Sequence, residues 1–324
     1  MPLSKALDLI LHFQDKHPTL IGFLYGLLSR FNFNCSNYVA RHVSAHHSAF
    51  QVVYMFSFQT FIYNYLILRA RKIPLTLRGG QMNALSLRRG LVTAISSALL
   101  FNAYPLLSYS ESVVILNIGP IVSAIFAVWL LNETYGWDLL IKSIVSIFGI
   151  LLIAKPAFLF GESENTLFPN RSLGIMMILI FVLLQGYANI VLKQLSSKAD
   201  ASIVAAHLGM SLAISFGFFQ LFVGADNLTL HEYFLLTING VLEASGQFFS
   251  GQAFKYGKAT TISMMSYARI LFAYTTEILI DGIIPDVLSI IGSCLVFSSL
   301  FVTIYSESQK KKNILELSKQ IQKI

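Results

Sequence analysis

Two arginines and a glutamate are the residues in this chain best placed to do chemistry. Arg30, Arg269 and Glu243 each fall near the middle of a long apolar stretch. A charge held at the centre of a bilayer costs at least ~2.5–3.5 kcal/mol, so such side chains must face a bundle interior or water. A guanidinium there offers a planar fork of donors suited to a carboxylate or phosphate. Glu243 has Asn239 one turn before it and Gln247 one turn after, and spacing of four puts all three on one helix face. The stretches holding Glu243 and Arg269 are consecutive and hence antiparallel, so these two residues are expected to pair. A salt bridge that only locks two helices is the alternative.

Further polar residues interrupt the other apolar stretches. In the first, Gly26, Arg30, Asn34 and Asn37 share a broad face, and Gly22-x-x-x-Gly26 permits close helix approach. Asn102 and Tyr104 precede Pro105, Asn117 precedes Gly119-Pro120, and Gln185 and Asn189 share a face. One amide in an apolar helix is more often an interhelical hydrogen bond than a ligand contact. The convergence of several is what suggests a binding cavity. The expected set is Arg30, Asn34, Asn102, Tyr104, Asn117, Gln185, Asn239, Glu243, Gln247 and Arg269. Pro105, Gly119 and Pro120 are candidate hinges, because proline removes a backbone donor and weakens the helical ladder.

Other chemistries find no support. His42, His46 and His47 have no carboxylate nearby in sequence and are expected in a solvated loop rather than on a metal. Glu111, Glu133 and Asp138 sit at the ends of apolar stretches and read as solvated boundary charges, while Lys142 can snorkel to an interface. No Gly-rich phosphate loop, His-Glu-x-x-His or nucleophile elbow occurs, and Cys35 and Cys294 form no disulfide framework. We expect no metal, no cofactor and no enzyme.

The elements that position these residues are membrane helices. The chain is 55% hydrophobic and 12% charged, about half the ~25% charged residues of soluble domains. Ten spans are expected, at about 18–39, 48–68, 88–109, 112–131, 138–155, 172–194, 202–223, 232–254, 260–280 and 286–305, each near the length that crosses ~30 Å of hydrocarbon. No cleavable signal peptide is evident. Residues 1–17 form an expected interfacial helix, and 306–324, with Lys310-Lys311-Lys312, a basic cytosolic tail that can lie on the membrane as an amphipathic helix. With both termini cytosolic, seventeen Lys and Arg residues, including Arg89 and Lys193, fall on that side against three on the other, as the positive-inside rule requires. The sequons at Asn170 and Asn227 then lie on the non-cytosolic side, close to membrane ends.

A faint internal repeat relates the two halves. Tyr109-Ser110-Glu111-Ser112 matches Tyr256-Gly257-Lys258-Ala259 at an offset of 147, and Gly149 and Lys142 match Ser299 and Gly292 at an offset of 150. Five helices per half place the second half upside down, so the fold expected is all-α: two inverted five-helix repeats, 18–161 and 162–305, of the kind that builds alternating access around a midplane site.

Ile118-Gly119-Pro120-Ile121, Leu130-Leu131-Asn132-Glu133, Gly149-Ile150-Leu151-Leu152-Ile153, Lys155-Pro156 and the following Ala157-Phe158-Leu159-Phe160-Gly161 resemble the drug/metabolite transporter superfamily, most closely EamA-domain proteins and solute carrier family 35, subfamily G. The resemblance implies a ten-helix carrier whose cavity is lined by helices one to four and six to nine, with five and ten peripheral. It also implies that a basic ninth helix meets the anionic part of a substrate, although Ser266-Tyr267-Ala268-Arg269-Ile270 does not match the sugar-phosphate carriers' motif. The function expected is transport of a small anionic or zwitterionic metabolite. A nucleotide-sugar carrier, a non-transporting interaction protein of the same fold and a lipid-modifying membrane enzyme are the alternatives. The partners expected are the bilayer and a small-molecule substrate, not nucleic acid, and a homodimer is left open.

Overall fold

The computed structural model describes residues 18–44, 47–77, 79–107, 112, 115–134, 136–154, 170–224, 226–280 and 287–321. Among them every regular element is helical. In chain order these are α1 (Pro18–Ser44), α2 (Ala49–Ala70), α3 (Gly80–Ala103), α4 (Gly119–Leu131), α5 (Trp137–Ala154), α6 (Arg171–Ser196), α7 (Ala201–Val223), α8 (Leu230–Tyr256), α9 in two halves (Ala259–Met264 and Ala268–Ile280) and α10 (Val287–Ile321). They fall on the ten expected stretches. The expected helix over 1–17, the stretch 155–161, Glu111 and His46 lie outside the described residues.

Local chemistry sets several boundaries. The Asp200 side chain accepts a hydrogen bond from the Ser202 N–H and starts α7, and Thr229 with Glu232 forms a capping box that starts α8. Asn132 ends α4 in the left-handed conformation, φ 52°, which an Asn tolerates better than most residues. Pro120 stands in the first turn of α4, where its missing N–H costs least. The fourth stretch is therefore broken just before it, at a turn over Asn117 and Ile118. The ninth is interrupted too, by a 3-10 turn at Met265–Tyr267. The third ends early: α3 gives way to a 3-10 turn at Tyr104–Leu106, with Pro105 inside it. α10 runs unbroken to Ile321, so the tail continues the last helix.

The helices pair off. α1 packs on α8, α2 on α7, α3 on α6, α4 on α6 and the first half of α9, and α5 chiefly on α10. Small residues permit the close crossings. A Cβ on Gly149 would stand 2.6 Å from the Gly292 carbonyl oxygen, and one on Gly292 would stand 2.5 Å from that of Gly149. On the same pair of helices the Ser299 hydroxyl donates to the Lys142 carbonyl at 2.7 Å. Burial also recurs along the chain: Ser86, Arg89, Gly90, Ala94, Ser96 and Ala103 are buried in α3, and so are the residues 150 places later in α8, Leu236, Asn239, Gly240, Ala244, Gly246 and Ala253. The main core joins α1, α6, α8 and α9 around Leu195, Phe254, Met264 and Tyr267.

Gly80–Ala103, Arg171–Ser196, Ala201–Val223 and Val287–Glu307 are long and apolar enough to cross a membrane by length and composition alone. α1 and α8, at 27 residues each, are longer than all four of these but carry a polar stripe through their middles. The outer surface is strongly apolar, with Trp129, Trp137, Leu221 and Leu230 each at least 74% exposed, as a lipid-solvated exterior requires and an aqueous one would not tolerate.

Candidate functional site

The polar residues of α8 face inward, against α1 and α3. The Ser36 hydroxyl of α1 lies 2.6 Å from Asn239 Oδ1 and 3.2 Å from Glu243 Oε2, and can donate to one of them at a time. Gln247 Nε2 donates to Glu243 Oε1 at 3.0 Å. Gln247 Oε1 accepts from Arg89 Nη2 of α3 at 3.2 Å, and Arg89 Nη1 reaches the Val204 carbonyl at 3.4 Å. One chain of hydrogen bonds thus runs Asn239–Ser36–Glu243–Gln247–Arg89 across three helices. Glu243 and Gln247 also line a small cavity of about 10 Å³ with Ser57 and Thr60 of α2 and Leu208, Gly209 and Leu212 of α7. That is close to the least space that holds one water, and far too little for a metabolite, whose pockets run to ~300 Å³ or more.

Beside this chain stand the two central arginines. Arg30 is half-buried, its guanidinium 5.9 Å from the Phe33 ring centre and its buried Nε without a hydrogen-bond partner. Arg269 is half-buried at the start of the second half of α9, close enough to Arg30 for the two charges to repel. Neither forms an ion pair among the described residues. The expected Glu243–Arg269 pair is therefore not made. Ser36 and Gln247 are nearer to the carboxylate and occupy it. Asn34, on the same helix as Arg30, donates to Thr276 Oγ1 of α9 at 2.8 Å, tying the arginine-bearing helices together.

The other expected residues divide. Asn117 is buried at the turn before α4, and Asn189 donates to Ser123 Oγ of α4 at 3.1 Å, with the half-buried Gln185 one turn earlier. Asn102 and Tyr104 are exposed at the end of α3, and Asn102 folds back onto the Ala98 carbonyl. The structure does not join these last two to the Glu243 chain.

Comparison with known proteins identifies the fold's relatives. No protein-family model matches the chain. It is 26% identical over 278 residues to the pseudopaline exporter CntI of Pseudomonas aeruginosa, covering 85% of this chain and 93% of the exporter. It is also 26% identical to human solute carrier family 35 member G1, covering 90% of this chain and 81% of that protein. A probable transport protein of Saccharomyces cerevisiae matches at 21% over 63% of each chain. The chain is similar to these transport proteins over most of its length. A crystal structure at 14% identity superposes with a TM-score of 0.74 over 90% of this chain and 98% of its own, a likeness of fold. The relatives and the apolar helices together make this transporter homologue a multi-pass membrane protein.

Five ionisable side chains have roles that sequence reasoning about the transporter homologue missed. Arg89, counted with the loop cations, is only 6% exposed and belongs to the Glu243 chain. Lys193, counted likewise, caps the end of α8 by donating to the Phe254 and Gly257 carbonyls at 2.6 Å each. Glu133, expected to be solvated, accepts from the Ala259 and Thr260 N–H groups and the Thr260 hydroxyl at 2.8, 2.9 and 3.0 Å, capping the start of α9. His47, expected in a solvated loop, has a side chain only 10% exposed, with Nε2 2.8 Å from Glu232 and Nδ1 3.8 Å from Asp226. A signal existed for Glu133, since a carboxylate suits a helix N-terminus, but it required knowing which helix start lay beside it. Lys142, expected to snorkel, donates instead to Ser306 Oγ at 2.7 Å and lies 3.4 Å from Asp138.

Proposed function

We propose that this protein moves a small anionic or zwitterionic metabolite across a membrane by alternating access, with Arg30 and Arg269 receiving its negative group. One observation carries the reading. The protein occupies the oxygens of its central carboxylate with Ser36 and Gln247, and no ion pair among its described residues gives either arginine a carboxylate. Two like charges kept close together without a counter-ion cost free energy that an anionic ligand would recover. Asn34, Asn239, Glu243, Gln247 and Arg89 line or brace the same interior, and Glu243 offers an acceptor for a substrate's ammonium or hydroxyl. The bilayer and that solute are the partners this reading needs.

The packing supports alternating access. If α1–α5 and α6–α10 are inverted repeats, exchange of the two halves turns the α1–α8 pair into α6–α3. It returns α2–α7, α4–α9 and α5–α10 to themselves. All five pairings occur. The offset of 150 also converts the Gly149–Gly292 contact into Lys142–Ser299, which is a hydrogen-bonded contact. Both ends of the bundle are tied: one by Glu133 and Lys193 around the α8–α9 junction, the other by His47 with Glu232 and Asp226. With the interior space too small for a metabolite, these ties fit a closed intermediate whose two ends open in turn, and the breaks at Asn117–Pro120 and Met265–Tyr267 are the places to bend. Both termini are taken as cytosolic: with Arg89 and Lys193 removed from the count, fifteen basic residues still face three.

The test is thermal stabilisation of the purified protein across a panel of carboxylates, amino acids and phosphorylated compounds, followed by flux of the stabilising solute into proteoliposomes. A ligand at ~100 times its dissociation constant adds ~2.7 kcal/mol. The reading predicts that an anion stabilises the wild type and not Arg269→Ala, and that it is carried. Stabilisation by cations alone, or equal stabilisation of both proteins, would overturn it.

A further inference from the structure

One buried polar row is left over once the arginines and the Glu243 chain are assigned. Ser57, Thr60 and Asn64 follow one another along one face of α2, and all three are buried, at 1%, 2% and 0% exposure. Ser57 Oγ, Thr60 Oγ1 and Asn64 Oδ1 have no hydrogen-bond partner among the described residues. Asn64 spends its amide on the Thr60 carbonyl, which leaves its oxygen facing outward from that bond. Leaving a buried polar atom unmade costs ~1–3 kcal/mol, and three in succession on a helix otherwise fit to be apolar call for water. Ser57 and Thr60 open into the cavity that Glu243 and Gln247 line. The row ends at Asn64: Leu68, one turn further along the same face, is 1% exposed and packed in the apolar core. Seven residues at ~1.5 Å each give the row a length of ~10 Å from Ser57.

Glu243 has the surroundings of a carboxyl that changes its protonation state. Its two oxygens accept only from neutral donors, the Ser36 hydroxyl and the Gln247 amide. Among the described residues no cation lies within ion-pair distance. The charged and titratable groups on the elements packed around α8 are otherwise engaged or distant. Arg89 of α3 reaches it only through Gln247, and Arg30 of α1 lies over Phe33. Lys193 of α6 is held at the α8–α9 junction, His207 of α7 lies between Ser86 and the Leu75 carbonyl, and Arg269 of α9 is not in contact with it. α2 presents Phe56, Ser57 and Thr60 to the cavity, none of them charged, and its Gln59 lies against Gly240. A carboxylate so placed can take a proton without breaking an ion pair. Protonated, it can give its O–H to the cavity and keep Gln247 on its other oxygen.

We propose that Glu243 is the proton-coupling site of this protein and that the Ser57–Thr60–Asn64 row beside it is hydrated. A proton from that water passes to a Glu243 carboxylate oxygen, forming the carboxylic acid, and returns to water by the same balance. Only the use of this proton to drive a solute rests on the transport reading. The site itself does not.

Two measurements on the full-length protein in lipid nanodiscs, with no solute added, test it. The first is labelling by dicyclohexylcarbodiimide, which requires a protonated carboxyl in apolar surroundings, read by peptide mass spectrometry. Glu243 should be modified near pH 6 and several-fold less near pH 9, as a titrating carboxyl demands, and Glu133, bound to backbone N–H groups, should not react. Glu243→Gln gives the blank. Absence of labelling at Glu243, or labelling that does not change with pH, would overturn the proposal. The second compares thiol reaction rates of Thr60→Cys and Leu66→Cys in a background with Cys35 and Cys294 changed to Ser. The reactive thiolate forms only where water reaches, so the buried position on the row should react about tenfold faster than the lipid-facing Leu66, which is 56% exposed. Equal rates would remove the hydrated row. Labelling at Glu243 in a protein that carries no anion would overturn the transport reading and leave the proton site. Anion flux with no labelling would do the reverse.

Discussion

Glu133→Ala should unfold this protein at a measurably lower temperature, although position and composition alone present Glu133 as a solvated boundary charge. Its carboxylate receives three hydrogen bonds, from Ala259 N–H, Thr260 N–H and the Thr260 hydroxyl. Removing an N-cap side chain costs ~0.5–2 kcal/mol, and hydrogen bonds to a charged group are worth ~1.5–3 kcal/mol each when buried. Glu133 is half-exposed, so solvent screening reduces these values, and the bonds share one carboxylate. We therefore expect ~2–3 kcal/mol for Ala and ~1 kcal/mol for Gln, which keeps one acceptor oxygen. At a few degrees per kcal/mol for a chain of this order of size, Ala should lower Tm by ~4–9 °C in detergent and Gln by about half as much. Thr260→Val should cost less than Glu133→Ala, and the double variant less than the sum of the two, because both remove the same bond. Differential scanning fluorimetry of the four proteins reads this directly. A Glu133→Ala protein that melts with the wild type would refute the cap and return Glu133 to the solvated surface.

The remaining predictions are shorter. Gly149→Ala places a methyl 2.6 Å from the Gly292 carbonyl, so α5 and α10 must separate, at an overpacking cost of ~1–3 kcal/mol; a thermal melt unchanged from wild type would contradict the close crossing. Arg269→Ala should leave folding intact, since the residue has no ion-pair partner among the described residues to orphan, while flux of an anionic solute falls; loss of folding would mean that a structural partner exists. Pro120→Ala should fold and carry more slowly, because the turn at Asn117–Ile118 would be drawn into a continuous helix; unaltered flux would reduce the break to a packing detail.

Much of the architecture was legible because a bilayer leaves few options. A run of about twenty apolar residues has to be a helix, and the helices observed begin and end within a few residues of the ten stretches at most boundaries. The exceptions have local causes. α3 starts at Gly80 rather than near 88, since Gln81 to Arg88 is polar enough to read as a loop yet contains no helix breaker. The interior polar face of α8 was also legible, from three residues spaced by four. What could not be read was partnership. Glu243 and Arg269 share a depth, but Ser36 and Arg89 come from helices more than 150 residues away in sequence and reach the α8 face first. Arg89 and Lys193 looked like loop cations because both lie near the ends of their stretches, where burial depends on which helix end stands opposite. The row on α2 was not visible at all. Ser and Thr are common in membrane helices because they can bond back to their own backbone, and only the absence of such a bond at Ser57 and Thr60 distinguishes them.

The most direct test of the central claim, an interior site reached in turn from each side, is the accessibility of a single cysteine at Asn34 in sealed, oriented vesicles with Cys35 and Cys294 replaced by Ser. Alternating access predicts reaction with a membrane-impermeant thiol reagent from either face. It further predicts that a short thiol crosslink between cysteines at Glu133 and Thr260, made before the probe is added, abolishes reaction from that face and preserves it from the other. Reaction from one face only without the crosslink, or reaction from both faces despite it, would contradict the account.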